Sequence, residues 1–432
     1  MFVRKKTNRS GTISVVVVSK AHGKFTEVKK FGVAKSEEEA DEMFRKAQSW
    51  LHTHDGQQEL DFEDRKGKEV EETERFLGNI DNVLINGTQL LLDQVYDSIG
   101  FNRIPDEILR HLVIARVSQP RSKLATVDYL KSYYDEDVDL NHIYRYMDKL
   151  YNTQMELAQQ ISVEHTRKLF GGKIGLMFYD VTTLYFETAQ TDVLREPGFS
   201  KDGKTAESQV ILGLLVSEGG YPLSYSLFNG SQYEGFTMIP MIDDFKQRFN
   251  LGKDFVVVAD SGLMNKNNVT LLREAGYNYI LLEISKDIEV VISEEKIAED
   301  CQWDGLKGYI TNTDLDAERV IAEYHGLWVV ERAFRVSKGT LEMRPMFHFT
   351  ERRIEAHVCI CFIAYKVYKE QERLIAINKI GMSVDKVLEA AKTITTIRVR
   401  MPENRTYFTK TLFLTEKHLA VKPLFDLSGN KS

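Results

Sequence analysis

KIGLMFYDVTTLYFE, residues 173–187, is the stretch on which the fold turns. Its apolar residues run almost without interruption, the pattern of a strand covered on both faces, and a carboxylate, Asp180, sits in the middle of it. A charge there costs several kcal/mol unless it is paired or coordinated, and a cation is the simplest partner. Downstream, SQVILGLLV (208–216), YPLSYSLF (221–228), DFVVVAD (254–260) and YNYILLEI (277–284) read as further strands. TMIPMIDDFKQRF (237–249) and KNNVTLLREAG (266–276) read as helices among the later ones. Three successive strands, then helix, strand, helix and strand, predict an α/β fold with a mixed sheet under helical cover. The second carboxylate of interest, Asp260, closes the run FVVVAD, although Asp-Ser-Gly is also a turn sequence. Residues 286–315 are polar and irregular, and helices return over about 316–338 and 351–373.

Working back towards the N-terminus, residues 76–170 are helical in pattern, with segments at about 87–99, 105–118, 123–134 and 140–169. The joint ARVSQPRSKLATVDYL within this module is basic and a candidate for phosphate contacts. Before it, GTISVVVVSK and KFTEVKKFGV predict a hairpin turning at Gly23. Ser36 and Glu39 have capping-box spacing at the head of a helix through about residue 52. The acidic stretch 53–75 reads as a linker. These signals predict four regions: an N-terminal αβ unit with its linker over 1–75, a helical module over 76–170 that is a candidate phosphate binder, an α/β domain over 171–372, and a basic helical tail over 373–432 that is a candidate dimerisation segment.

A chain of 432 residues exceeds what one hydrophobic core holds, roughly 250–300 residues, so more than one domain is expected. The longest apolar runs, VVVV at 15–18 and VCICFIAY at 358–365, fall short of the roughly 20 residues a spanning helix needs, and MFVRKKTNRSGT has no apolar region of a secretory signal after it. A cytoplasmic protein without a membrane partner is expected. Three cysteines make no disulfide framework and read as reduced core residues. The net charge of −7 hides an asymmetry. Residues 1–30 hold Arg4, Lys5, Lys6, Arg9, Lys20, Lys24, Lys29 and Lys30 against Glu27 alone, which suggests a polyanion touching selected surfaces.

The helix DAERVIAEYHGLWVVERAFRVSKGTLEMRP (316–345) carries Tyr324, Glu331 and Lys338 at steps of seven, two helical turns, with Leu327, Trp328 and Arg335 interleaved on the same stripe. Acid, base and aromatic therefore share one face.

Taken in order, YDVTTLYFE (179–187), GFSKDGKTAESQVILGLLVSEGGYPLSYSLFNGS (198–231), VVVADSGL (256–263) and YHGLWVVERAFRVSKGTLEMRPMFH (324–348) resemble the DDE transposases of bacterial insertion sequences. The resemblance is to the branch whose third acid lies in a Tyr-x-x-Arg-x-x-x-Glu-x-x-x-x-x-x-Lys helix, with Leu327 here in the Arg position and Ser231 where the family often has Asn. It covers about half the chain, roughly 170–370. It implies an RNase H-like catalytic core, with a small inserted segment at about 286–315, and Asp180, Asp260 and Glu331 as catalytic residues and metal ligands. The implied cofactor is a pair of Mg²⁺ ions, for which Mn²⁺ substitutes. Implied DNA contacts are Tyr324, Trp328, Arg335, Lys338, Lys201 and Lys204; implied partners are terminal inverted repeats and target DNA, with a homodimer in the DNA complex. The implied activity cuts element ends and joins their 3′-OH groups to target DNA. The competing expectation is a catalytically inactive, transposase-derived DNA-binding regulator.

Overall fold

A computed structural model describes residues 1–21, 23–54, 62–134, 136–187, 190–198, 207–250, 255–263, 266–283, 308–401 and 404–426. The chain folds as two units, one of Met1–Ile80 with Arg400–Thr406, the other of Asp81–Val399 with Tyr407–Ser432. In the first, β1 (Phe2–Thr7), β2 (Ile13–Ala21) and β3 (Lys24–Ala34) form an antiparallel sheet in that order. The hairpin at Gly23 is the expected one, and β1 adds a strand that FVRKKT, with two apolar residues in six, does not announce. Helix α1 (Glu37–His54) lies on one face, where Val15, Val17, Ala34, Ala40 and Ala47 are fully buried. Half of the expected capping box forms, Ser36 Oγ accepting the Glu39 amide at 3.3 Å, while Glu39 Oε2 accepts the amide of Lys35, one residue before the cap, at 2.9 Å.

The stretch read as a linker is helical from Phe62 onward, in α2 (Phe62–Gly78), while residues 55–61 lie outside the described residues. Its Glu, Lys and Arg are good helix formers, and with few apolar residues to mark a face the period does not show.

The second unit begins within a short strand, β4 (Ile80–Leu84), and continues with α3 (Gly87–Ile99), α4 (Glu107–Ser118), α5 (Lys123–Tyr134), α6 (Leu140–Thr153) and α7 (Met155–Leu169). The run expected as one helix over 140–169 is two. Gln154 leaves helical geometry (φ −129°, ψ −13°), and its side-chain carbonyl accepts the Tyr146 hydroxyl at 2.6 Å, which holds the corner.

The sheet follows. Its strands are β5 (Leu176–Tyr185), β6 (Glu196–Pro197), β7 (Ser208–Ser217), β8 (Pro222–Asn229), β9 (Val256–Ala259), β10 (Asn278–Glu283) and β11 (Gly308–Thr311). The main order is β8-β7-β5-β9-β10, with β7 antiparallel to both neighbours and β5, β9 and β10 mutually parallel. This mixed sheet, in which the first strand is central and the second and third fold back antiparallel, is the RNase H-like arrangement. Strand β11 adds an antiparallel edge to β10. It falls in the segment expected to be irregular, and at four residues it is too short to show a period; residues 286–307 lie outside the described residues.

Helices α8 (Met238–Phe249) and α9 (Lys266–Ala275) cover one face, packing on Met177, Tyr179 and Val181 of β5. The other face belongs to a core containing Phe178, Leu184, Leu212 and Val258, with α10 (Ala317–His325), α11 (Trp328–Arg335) and α12 (Glu351–Ile377). Helix α12 is buried all round, with Cys359, Ile360, Cys361, Ile363, Ala364 and Val367 at 0% exposure. Helices α3, α4, α6 and α7 pack about it. The helical layer and the sheet thus share one core, and the expected boundary at 170/171 does not separate two units. Cys359 and Cys361 are free and buried, and burial pushes the Cys359 thiol up to about 12; Cys301 lies outside the described residues.

The C-terminal region, expected as a helical tail, holds α13 (Val384–Ala391), β12 (Thr395–Arg400), β13 (Tyr407–Leu412) and α14 (Glu416–Val421). TTIRVR and YFTKTL form strands of a sheet ordered β13-β12-β4 because Ile397 and Val399 alternate with polar neighbours. Among the described residues no helix is long and apolar enough to cross a membrane.

Candidate active site

Strands β5 and β9 are parallel with Phe178 opposite Val258 and Tyr179 opposite Ala259. The next residues are Asp180 and Asp260, so they occupy adjoining positions on strands about 4.8 Å apart. Side chains alternate along a strand, and Phe178 and Val258 belong to the core beneath α10–α12. Both aspartates therefore open to that same face, each half-buried. Asp180 Oδ1 accepts the Val181 amide at 2.8 Å. Asp260 Oδ1 accepts the Tyr324 hydroxyl at 3.0 Å. Burial first, and then the Asp260 and Glu331 charges, push the Tyr324 hydroxyl well above the ordinary tyrosine range, so it remains a donor.

The helix expected over 316–338 is not continuous. Bonding tightens at Gly326–Leu327, where the Leu327 amide bonds Tyr324 O at 2.9 Å, and loosens into a π-turn over Val336–Thr340. Gly326 lies against the aromatic ring of Phe178, where an added Cβ would come within 2.6 Å of Phe178 Cζ and 2.9 Å of Glu323 O. Only the missing side chain lets the helix sit this close to β5. Gly326→Ala should accordingly destabilise the protein by about 1–3 kcal/mol, read as a lowered urea midpoint at unchanged m-value.

Tyr324 and Lys338, on either side of this segment, both turn to the sheet: Lys338 Nζ donates to Thr182 Oγ1, two residues along β5 from Asp180 and on the same face. Glu331 lies between them on α11 and is exposed; its charge reaches Tyr324. Among the described residues no three carboxylate, His or Cys side chains converge closely enough to hold one ion, so the structure pairs the aspartates without gathering Glu331 to them. The donors are all hard carboxylate oxygens, which suit Mg²⁺ and not a soft metal. Trp328 is 54% exposed, and Arg335 is exposed with no ion pair to Glu331 among the described residues. Arg332 pairs with Glu372 of α12. Leu327, in the Arg position of the signature, is buried in the core. Lys201 and Lys204 lie outside the described residues.

Two neighbours of the site escaped sequence reasoning. Thr182 was within reach of it, being two residues from Asp180 on a strand. Tyr309, whose ring packs edge-on to Tyr324 at 5.1 Å, gave no signal because its segment looked irregular.

Residues 171–366 match the family model described as "Transposase DDE domain". This stretch, a little under half of the chain, is similar to transposase DDE domains. No curated protein matches the sequence. Two solved structures are similar to the chain: the piggyBac transposase synaptic complex with hairpin DNA, at 12% identity and TM-score 0.39, covering 69% of this chain and 70% of that one, and the Mos1 transposase paired-end complex with left transposon end, at 10% and 0.19, covering 51% and 75%. At such values neither adds to what the DDE domain match establishes.

A second surface is strongly basic. The sheet face of the first unit opposite α1 carries Phe2, Arg4, Lys6, Lys20, Phe25 and Lys30, all exposed, against Glu27. Arg4 and Lys20 lie over the Phe25 ring at 5.9 and 5.5 Å.

Proposed function

We propose that this protein is an insertion-sequence transposase, acting on DNA at the bacterial nucleoid, that cuts element ends and joins their 3′-OH groups to target DNA. The observation that carries the reading is the Asp180–Asp260 pair at adjoining strand positions, facing the Glu331 helix, inside the stretch that matches the DDE domain. Asp180, Asp260 and Glu331 would hold Mg²⁺ ions, with Mn²⁺ able to substitute. Bound there, two such ions would supply Lewis-acid stabilisation of both oxygens in an in-line displacement at phosphorus. Cutting is attack of water on a phosphodiester, and joining is attack of the freed 3′-OH on another; neither links DNA to the enzyme.

The side chains do the remaining work. Tyr324 fixes the Asp260 carboxylate through its hydroxyl. Lys338, beside Thr182, sets a cation near Asp180 for a phosphate next to the cut. Trp328 offers an exposed ring for base stacking, and Arg335 an exposed charge. The open basic face of β1–β3 binds element ends, and the active form on DNA is a homodimer.

Magnesium-dependent nicking of a duplex carrying the element's terminal repeat, abolished by EDTA, tests the reading. Binding without nicking would leave the inactive regulator in its place. Within the active protein, Lys338→Ala and Arg335→Ala should slow single-turnover cleavage about tenfold or more while affinity changes little. Arg332→Ala should instead lower stability, because it leaves Glu372 with one cation fewer. Equal cleavage by Arg335→Ala and wild type would confine the charge role to Lys338.

A further inference from the structure

The basic joint between α4 and α5 closes one side of a cleft of about 160 Å³, on the far side of which lies the segment that follows the π-turn. This is room for a phosphate group and several waters. Arg116 and Lys123 line it at 6% exposure each, with Arg121 and Arg344 beside them. Among the described residues the Arg116 guanidinium meets carbonyls alone, donating to Arg121 O at 3.2 Å and Glu342 O at 3.5 Å. Lys123 Nζ meets His357 Nδ1 at 3.3 Å, and the other ring nitrogen of His357 faces Met343 O at 3.2 Å.

No carboxylate among the described residues is ion-paired with Arg116 or Lys123. Burial, and then Arg116, pull Lys123 down to about 7, and the same cations and burial hold His357 and His348 well below the ordinary histidine range. The one acid lining the cleft, Glu342, is exposed. Ser122, Lys123 and Leu124 start α5 here, so the positive end of a twelve-residue helix adds to the field. A buried guanidinium, a buried lysine whose ammonium form is disfavoured until a counter-charge arrives, and a helix N-terminus, with no buried counter-charge among the described residues, suit an anion.

The cleft is also tied to the active site. Arg344, on its wall, lies over the Tyr185 ring at 5.2 Å, and Tyr185 ends the strand that carries Asp180. Five residues of strand span about 17 Å, which at ~3.4 Å of helix axis per nucleotide is on the order of five nucleotides.

We propose that this cleft seats a single backbone phosphate of the bound DNA, a few nucleotides from the cut, and so sets the register of the strand over the carboxylates. The proposal rests on the transposase reading for its DNA, but not for its anion. Two variants test it in the full chain. Arg121→Ala removes an exposed cation from the rim, and Lys123→Met removes the buried charge at near-constant volume.

With inorganic phosphate as probe, wild type should show a rising Tm as phosphate is added, and both variants a smaller rise at equal ionic strength. With a duplex of the element end carrying one methylphosphonate at a time, one position within about five nucleotides of the cut should weaken wild-type binding about tenfold and leave Lys123→Met unchanged. Lys123→Met should be no less stable than wild type without phosphate. Phosphate protection with no sensitive position would overturn the DNA assignment and leave a site for a free anion. Variants that match wild type with both probes, or a destabilised Lys123→Met that retains full phosphate response and DNA affinity, would overturn the site itself. If wild type binds no element-end duplex, the transposase reading fails, and the phosphate arm still decides whether the cleft takes an anion.

Discussion

Asp180→Asn, Asp260→Asn and Glu331→Gln will each lower strand cleavage by about 10³-fold or more while leaving affinity for element-end DNA within about threefold of wild type. Each exchange keeps the side-chain shape and removes one negative oxygen donor. Asp180 and Asp260 stand at adjoining positions on parallel strands, so loss of either charge strips the pair that a cation would bridge. Asn at 260 can still accept the Tyr324 hydroxyl, which keeps the local fold in place. On the proposed function affinity should survive, because none of the three residues supplies a cation to a phosphate. Single-turnover cleavage beside equilibrium binding measures both quantities, and a variant that cleaves at the wild-type rate removes its residue from the site.

Changing Arg4, Lys6, Lys20 and Lys30 together to Gln will weaken DNA binding by about 10²- to 10³-fold near 0.15 M salt and lower the salt slope by about three to four. These side chains project from the sheet face opposite α1, whereas Val15 and Val17, which hold the unit together, project towards it. The exchange therefore leaves the core intact. Each phosphate neutralised releases close to one counterion, so the drop in the slope of log affinity against log salt measures how many phosphates these four cations neutralise. An unchanged slope would place the DNA elsewhere.

Much of the catalytic sheet could be read along the chain because its strands are buried on both faces and show as unbroken apolar runs. Asp180 stood out for the same reason, as a charge where every neighbour is apolar. What could not be read was pairing across distance. That β5 lies beside β9, and so sets Asp180 beside Asp260, is a matter of 79 intervening residues and of register. Short or charged elements were hidden too: β1 and β11 have too few residues to show a period, and α2 has too few apolar ones. The step of seven put Tyr324, Glu331 and Lys338 on one stripe, whereas in the structure Tyr324 and Lys338 turn to the sheet and Glu331 is exposed. It did not show the interruption between them, because Gly326 and Leu327 keep right-handed helical angles and change only their hydrogen bonds.

The long buried helix α12 runs from Glu351 to Ile377, and the DDE match stops inside it, at Lys366. Ancestry and cooperative folding thus draw the limits of this protein in different places. A fragment cut to the inherited limits would carry half of a helix whose every face expects a neighbour, and would leave behind the α3–α7 layer that supplies several of them. The sheet and the α3–α7 layer close one core, so a fragment confined to the matched residues should be far less stable than one that keeps both.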